Sequence, residues 1–304
     1  MGALTNAVPT PVLPPDGPPV HARGHLIAPG YLLIEHIRRG EDVDSYEAWS
    51  VERFCRCFVK TLRPDRLQDR AAHHYLRREA RLLLSLSHPH LVRGYEYLPQ
   101  HGRQAPVLVC ENLTGATLSY ILEQECGRLG AADLGYLGQH LCSALRYLHG
   151  RGYLHLDVKP GNIISSFGTT RLIDLSLARP PGRVPPGYGT LGYLSPEQTI
   201  GGPVGAPTDV WGAGLVLYQC ATGIQPFDVD DPDDPSASSL ERCRDRLAVR
   251  RPRVRAHRRL PRPVAEAIDA CLSRAPESRP TLEELAAALA TLCHGAEETR
   301  EAVT

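Results

Sequence analysis

Lysine is nearly missing from this chain of 304 residues: it occurs twice, at Lys60 and Lys159, against 32 arginines. A chain that takes arginine wherever its surface needs positive charge keeps lysine where a compact ammonium on a flexible stem does what a planar fork does not. Net charge is missing too, since 34 basic side chains balance 34 acidic ones. That balance removes any general electrostatic case for nucleic acid or an anionic membrane as a partner. No apolar run approaches the ~18–20 residues a membrane helix needs, and the N-terminus has no basic stretch leading into an apolar core. The chain therefore reads as cytoplasmic. Nine cysteines are scattered without CxxC pairs or a disulfide framework, so reduced, mostly buried thiols are expected. Cys55 and Cys57 would share one strand face, with no further ligands near enough in sequence to make a metal site.

What is present is a change of period along the chain. Residues 1–25 are rich in Pro, Ala and Gly and read as a flexible tail. Strand-like runs follow at residues 31–37, 53–62 and 106–110, with one helix expected at 71–86, where Leu76, Glu79, Leu83 and Leu86 recur at three- and four-residue steps. Residues 26–112 thus form a small strand-rich lobe. Beyond Gly115 the period becomes helical, with Leu134, Leu137, Leu141, Leu145 and Leu148 in one stripe. Residues 209–222 read as a buried helix, and Thr281-Leu282-Glu283-Glu284 is a capping box that opens the last one. A larger, mostly helical lobe is expected over 113–293, followed by a tail at 294–304. Five aspartates lie between Asp228 and Asp234, and ten arginines between Arg242 and Arg262. The basic run reads as a solvated surface partly neutralised by the aspartates, with docking of an acidic protein as the alternative.

Phosphoryl transfer needs a base at the attacking hydroxyl, metal ions on the phosphates, and fixed positive charge where negative charge develops. The chain offers each part. In His155-Leu156-Asp157-Val158-Lys159-Pro160-Gly161-Asn162, the carboxylate of Asp157 could accept a hydroxyl proton, and the carboxamide oxygen of Asn162 is a hard neutral ligand suited to magnesium. Asp174, after the apolar pair Leu172-Ile173, could supply a charged ligand. Lys60 on a strand and Glu79 on the lone helix would form an ion pair that holds the ammonium against nucleotide phosphates.

With these residues in view, the chain resembles a eukaryotic-type (Hanks-type) serine/threonine protein kinase of the bacterial kind over roughly residues 26–293. Further motifs in family order carry the likeness. They are Gly189-Thr190-Leu191-Gly192-Tyr193-Leu194-Ser195-Pro196-Glu197, Asp209-Val210-Trp211-Gly212, Thr222-Gly223 with Pro226-Phe227, and Ser278-Arg279-Pro280. The resemblance implies an α+β, bilobal fold, ATP and Mg2+ as cofactors, and a protein hydroxyl as substrate. It implies Asp157 as catalytic base, Lys159 as the cation near the transferred phosphate, and Asn162 and Asp174 as magnesium ligands. It places Lys60 with Glu79 on the α and β phosphates, Glu111 to Leu113 as the adenine-facing hinge behind Cys110, Ile164 among the nucleotide contacts, and Arg279 as the partner of Glu197. Lys159 together with Thr190 resembles the serine/threonine subgroup.

The departures gather around the nucleotide roof. Of three family glycines only Gly40 remains, with Arg38 and Val43 at the other places, so backbone amides approach phosphate less closely. Glu41, Asp42 and Asp44 add negative charge there unless they face water. Phe58 stands where the family has a small alanine and Ser45 where it has valine. Leu156 replaces an arginine that clasps an activation-segment phosphate in many relatives, and between Ser176 and Thr190 the only hydroxyl is that of Tyr188. Ser176 replaces the glycine of the metal-binding triplet. Three functions follow: a kinase not switched by phosphorylation of that segment, a pseudokinase that binds partners with little or no nucleotide, or a small-molecule phosphotransferase. The loop from Gly189 to Glu197 with its partner Arg279 speaks against the last.

Overall fold

Alternating burial builds six antiparallel strands: β1 (Leu26–Ala28), β2 (Tyr31–Arg39), β3 (Val43–Ser50), β4 (Cys55–Leu62), β5 (Gly94–Leu98) and β6 (Val107–Glu111), in the order β1-β2-β3-β4-β6-β5. They belong to a computed structural model that describes residues 17–102, 104–227, 239–248 and 253–301. The described chain divides into two units. The first reaches Ser87 and resumes over Val92–Leu113; the second holds His88–Leu91 and the chain from Thr114.

One side of the sheet buries Tyr31, Leu33, Tyr46, Ala48, Cys57, Val59, Val107 and Val109 as a core. Helix α1 (Arg70–Ser85) is capped by Asp69, whose carboxylate accepts from the amides of Ala71 and Ala72, and it buries Ala72, Leu76, Glu79, Ala80, Leu82 and Leu83. Strands β1, β3 and β5 escaped the sequence reading. In β3 the polar residues Asp44, Ser45, Glu47 and Ser50 hide the alternation, although Asp44, Ser45 and Ser50 are buried.

The expected tail at residues 1–25 is partly structure. Residues 1–16 lie outside the described residues, but Pro18 accepts from Arg39 at 2.7 Å. The amide of His21 donates to the Tyr46 hydroxyl at 3.1 Å, and Val20 packs on the core. Proline-rich composition gave no sign of this docking, because the chain here is held by the strands it crosses and not by a period of its own.

The second unit runs β7 (Ala116–Thr117), α2 (Leu118–Tyr120, continued as a wider turn over Ile121–Cys126) and α3 (Ala131–Gly150). Next come β8 (Ile163–Ser166), β9 (Thr169–Leu172), β10 (Gly182–Arg183), α4 (Pro196–Ile200) and β11 (Pro203–Val204). It closes with α5 (Ala206–Thr222), α6 (Ser239–Ala248), α7 (Val254–His257), α8 (Arg262–Cys271) and α9 (Leu282–Glu301). Helix α5 is buried almost throughout, from Thr208 to Ala221; α3 and α8 pack on it, and α9 packs on α3 and α8. Glycine is required where α5 meets the chain after Asp157: a Cβ on Gly212 would lie 2.8 Å from the Cβ of Val158. The Thr281 cap exists as expected, with the Glu284 amide donating to its hydroxyl at 3.1 Å. Together the units give the expected α+β architecture. No described helix is long and apolar enough to cross a membrane.

All nine cysteines are free thiols, seven of them buried, and burial pushes Cys110 and Cys142 up to about 12. The sulfurs of Cys55 and Cys57 lie 4.0 Å apart on one strand face as expected, and no group of three metal-ligating side chains occurs among the described residues.

Candidate active site

In the first unit, Lys60 donates to the Glu79 carboxylate at 2.7 Å, with the lysine 13% and the glutamate 4% exposed. The strand and helix hold this pair for a local reason. Val59 and Thr61 point into the apolar side of β4, so Lys60 faces the other way, and Glu79 sits on the buried stripe of α1. Phe58 lies two residues before Lys60 on the same face and is half-buried. Glu111 ends β6, where its carboxylate accepts from the Arg93 amide at 2.8 Å; the half-buried Leu113 closes the unit.

The turn joining β2 to β3 corrects one expectation. Asp44 does not load this loop with charge, because it is 1% exposed and accepts from both Nε and Nη2 of Arg39 at 2.9 Å. Arg63 donates from its side chain to the carbonyls of Gly40 and Glu41 and from its amide to Asp42. Burial, then the neighbouring Glu41, pushes the Asp42 carboxyl up from its ordinary value. Gly40 donates its amide to Val43 at 2.8 Å, so the turn spends that amide on itself.

In the second unit four side chains meet. Asp157 accepts from Thr190 at 2.6 Å through Oδ1, and from Asn162 at 2.8 Å and Lys159 at 2.9 Å through Oδ2. Lys159 also donates to the Thr190 hydroxyl. Asn162 is 2% exposed and spends its Nδ2 on the carbonyl and carboxylate of Asp157, which fixes the amide orientation and leaves Oδ1 as the acceptor end. Asp174 stands at the other end of the hairpin of β8 and β9: the Ile173 amide donates to the Asn162 carbonyl at 2.9 Å, so the two residues emerge from bonded neighbours. Asp174 has φ +65°, a left-handed conformation costly for a non-glycine residue, and accepts from the Ser176 amide at 3.2 Å. Ile164 pairs with Thr117 and Arg171 across β8. An amide oxygen and a carboxylate on adjoining backbone form a hard-oxygen donor set that fits magnesium.

A carboxylate outside the expected set holds this loop. Asp209, 1% exposed, accepts from the amides of His155 and Leu156 and from His149 Nε2, each at 2.8 Å. His155 accepts the Asp157 amide at Nδ1, so its Nε2 carries the proton donated to the Ile173 carbonyl. In the sequence Asp209 reads only as the start of a helix, a lone carboxylate before an apolar run. Glu197 and Arg279 meet as expected, at 2.7 and 2.9 Å, with Arg279 further donating to the carbonyls of Pro207 and Ser273. Burial alone would raise the Glu197 carboxyl, but the hydrogen bonds and charge of Arg279 hold it below the usual carboxylate range.

Two arginines of the run are spent internally. Arg244 donates to the Thr199 carbonyl at 2.9 Å, and Arg258 to those of Leu129 and Ala221 at 2.7 and 3.1 Å. Residues 228–238 and 249–252, which include the aspartates, lie outside the described residues.

These features agree with the comparisons. The protein kinase domain model matches residues 31–289, and the chain belongs to that family. It is similar to bacterial serine/threonine-protein kinases. A probable one of Corynebacterium efficiens is 34% identical over 184 residues, 57% of this chain and 28% of that protein. PknB of Mycobacterium leprae is 35% identical over 183 residues, 57% and 29% of the two lengths. PkaA of Streptomyces coelicolor is 30% identical over 253 residues, 78% and 43%. The chain thus spans less than half the length of each of these relatives.

Proposed function

We propose that this chain is a serine/threonine protein kinase that transfers the γ-phosphate of ATP to protein hydroxyls, without control by serine or threonine phosphorylation in its activation segment. The observation that carries the reading is the Asp157–Lys159–Asn162–Thr190 constellation, in which one carboxylate is held by three donors beside the backbone of a hard-oxygen pair. Asn162 and Asp174 would hold Mg2+, which when bound screens the phosphate charge and orients the phosphates. Lys60, kept in place by Glu79, binds the α and β phosphates. Asp157 orients the substrate hydroxyl and takes its proton as the new P–O bond forms and ADP leaves. Lys159 holds positive charge at the transferred group. Glu111 and Leu113 offer their backbone to adenine, and Gly40, Phe58 and Ile164 are further nucleotide contacts. Among the described residues of the basic run, exposed Arg253, Arg255 and Arg259 would be open to an acidic protein partner.

A second reading, a scaffold that transfers nothing, is favoured by one observation: a phenyl ring, Phe58, on the strand face that bears Lys60. Radiolabelled phosphate transfer separates the two. Wild type is expected to label a generic serine/threonine protein substrate or itself, and Asp157→Ala to fall by about a thousandfold with its melting temperature kept. Equal labelling by both chains, or none by either, removes the kinase reading.

A further inference from the structure

The position before Asp157 is leucine, and the structure shows what that leucine does. Leu156 is 4% exposed and packs with Leu154, Val184 and Val204, and Tyr188 lies against the same cluster. Val184 and Tyr188 come from the segment between the metal-binding triplet and Thr190; Val204 comes from β11, which pairs with β10 of that segment. Tyr188 is fixed three ways. Its hydroxyl donates to the Leu177 carbonyl at 3.1 Å, the Arg179 guanidinium lies 5.7 Å over its ring, and its own carbonyl accepts from Gln198 Nε2 at 2.7 Å.

Gln198 ties this cluster to the chemistry. The same Nε2 donates to the Leu156 carbonyl at 2.9 Å, its Oε1 accepts from the Ser195 amide, and its carbonyl accepts from the Gly187 amide at 2.9 Å. One buried carboxamide thus fastens the residue before Asp157 to the residue two before Thr190, whose hydroxyl bonds Asp157. Gly189 between them has φ +141°, and a Cβ there would lie 2.7 Å from Leu194, so the strand of chain linking Tyr188 to Thr190 is closely fitted.

We propose that Leu156, Tyr188 and Gln198 are positioning residues that staple the activation segment to the catalytic loop by apolar packing and amide bonds, so that the Asp157–Thr190 geometry is built in without a phosphate. A phosphate-and-arginine clasp is a switch because modification adds one of its halves. An apolar staple has no missing half. The catalytic part of this inference rests on the kinase reading; the packing part does not.

The test uses the full chain and two readouts. Tyr188→Ala is expected to speed amide hydrogen exchange in residues 182–190, including Val184 and Gly187, about tenfold, and to lower kcat about tenfold or more while the affinity for Mg·ATP stays within about twofold. Tyr188→Phe keeps the ring and is expected to stay within about threefold of wild type in both. Gln198→Ala removes the amide tie without opening the apolar cluster and is expected to lower kcat in a chain that still folds, its melting temperature reduced by a few degrees because three backbone groups lose a partner; this guards against a Tyr188→Ala chain that fails to fold. Exchange at wild-type rate in both Tyr188→Ala and Gln198→Ala overturns the staple. If wild type transfers no phosphate, the exchange arm still decides the staple while the kinase reading falls separately. An activating phosphate found on Tyr188 also overturns it.

Discussion

The two units keep different things. In the first, the β2–β3 turn, where the proposed nucleotide site would call on backbone amides, bonds the amide of Gly40 to Val43. In the second, Asp157, Lys159, Asn162 and Thr190 all bond within one group. Amides that cradle phosphate demand a glycine conformation and are lost with any substitution, whereas charged side chains act from the tip of a flexible stem and tolerate changes around them. The first unit also keeps its side-chain element, Lys60 on Glu79. Under the kinase proposal, phosphate would be met by charge at chosen side-chain atoms more than by close backbone approach.

The sharpest way to break this comparison is to remove a buried charge in each unit. Arg279→Ala in the second leaves Glu197 buried beside several orphaned carbonyls, and a loss of about 5 kcal/mol in denaturant-derived stability is expected. The acid limb tells the same story. Because the folded Glu197 carboxyl is held below its unfolded value, its contribution is present above the ordinary carboxylate range and lost as pH falls through the folded value. Glu197→Gln should flatten that limb; an unchanged acid slope contradicts the pairing. Arg39→Ala in the first unit strands Asp44 at 1% exposure, and about 3 kcal/mol is the expected cost. If Arg39→Ala melts like wild type, the β2–β3 turn is not braced as described. The smallest effect belongs to Phe58→Ala, expected to tighten Mg·ATP binding by less than about tenfold. Unchanged or weaker binding in a titration removes the idea that this ring intrudes on the nucleotide.

Legibility followed the physics of each feature. Of the helices of the second unit, α3 and α9 showed in their leucine period and α5 in its apolar run, because packing on a core writes itself into spacing; α2, α4, α6, α7 and α8 did not show. Lys60, Glu79, Asp157, Asn162 and Arg279 were readable because each sits in a short ordered pattern, and the pairs Lys60–Glu79 and Glu197–Arg279 formed as anticipated. Strand β3 was not, since its buried Asp44 is satisfied by Arg39 five residues earlier, and a single sequence does not announce which carboxylate will be paired. Asp209 and Gln198 act by accepting or donating to backbone far away in the chain, 54 residues in the case of His155. Long-range bonds to main chain leave no local pattern. The docking of residues 18–25 was hidden for the same reason, being held by the Arg39 side chain and the Tyr46 hydroxyl.

The most direct measurement is calorimetric titration of ATP into wild type, Lys60→Met and Asp174→Asn, with and without magnesium. Wild type is expected to bind only with magnesium, and each substitution, one in either unit, to weaken binding by about tenfold or more. Binding by wild type that ignores magnesium and survives both substitutions, or no binding at millimolar ATP, contradicts the proposed kinase function, in which Lys60 binds phosphate and Asp174 holds Mg2+.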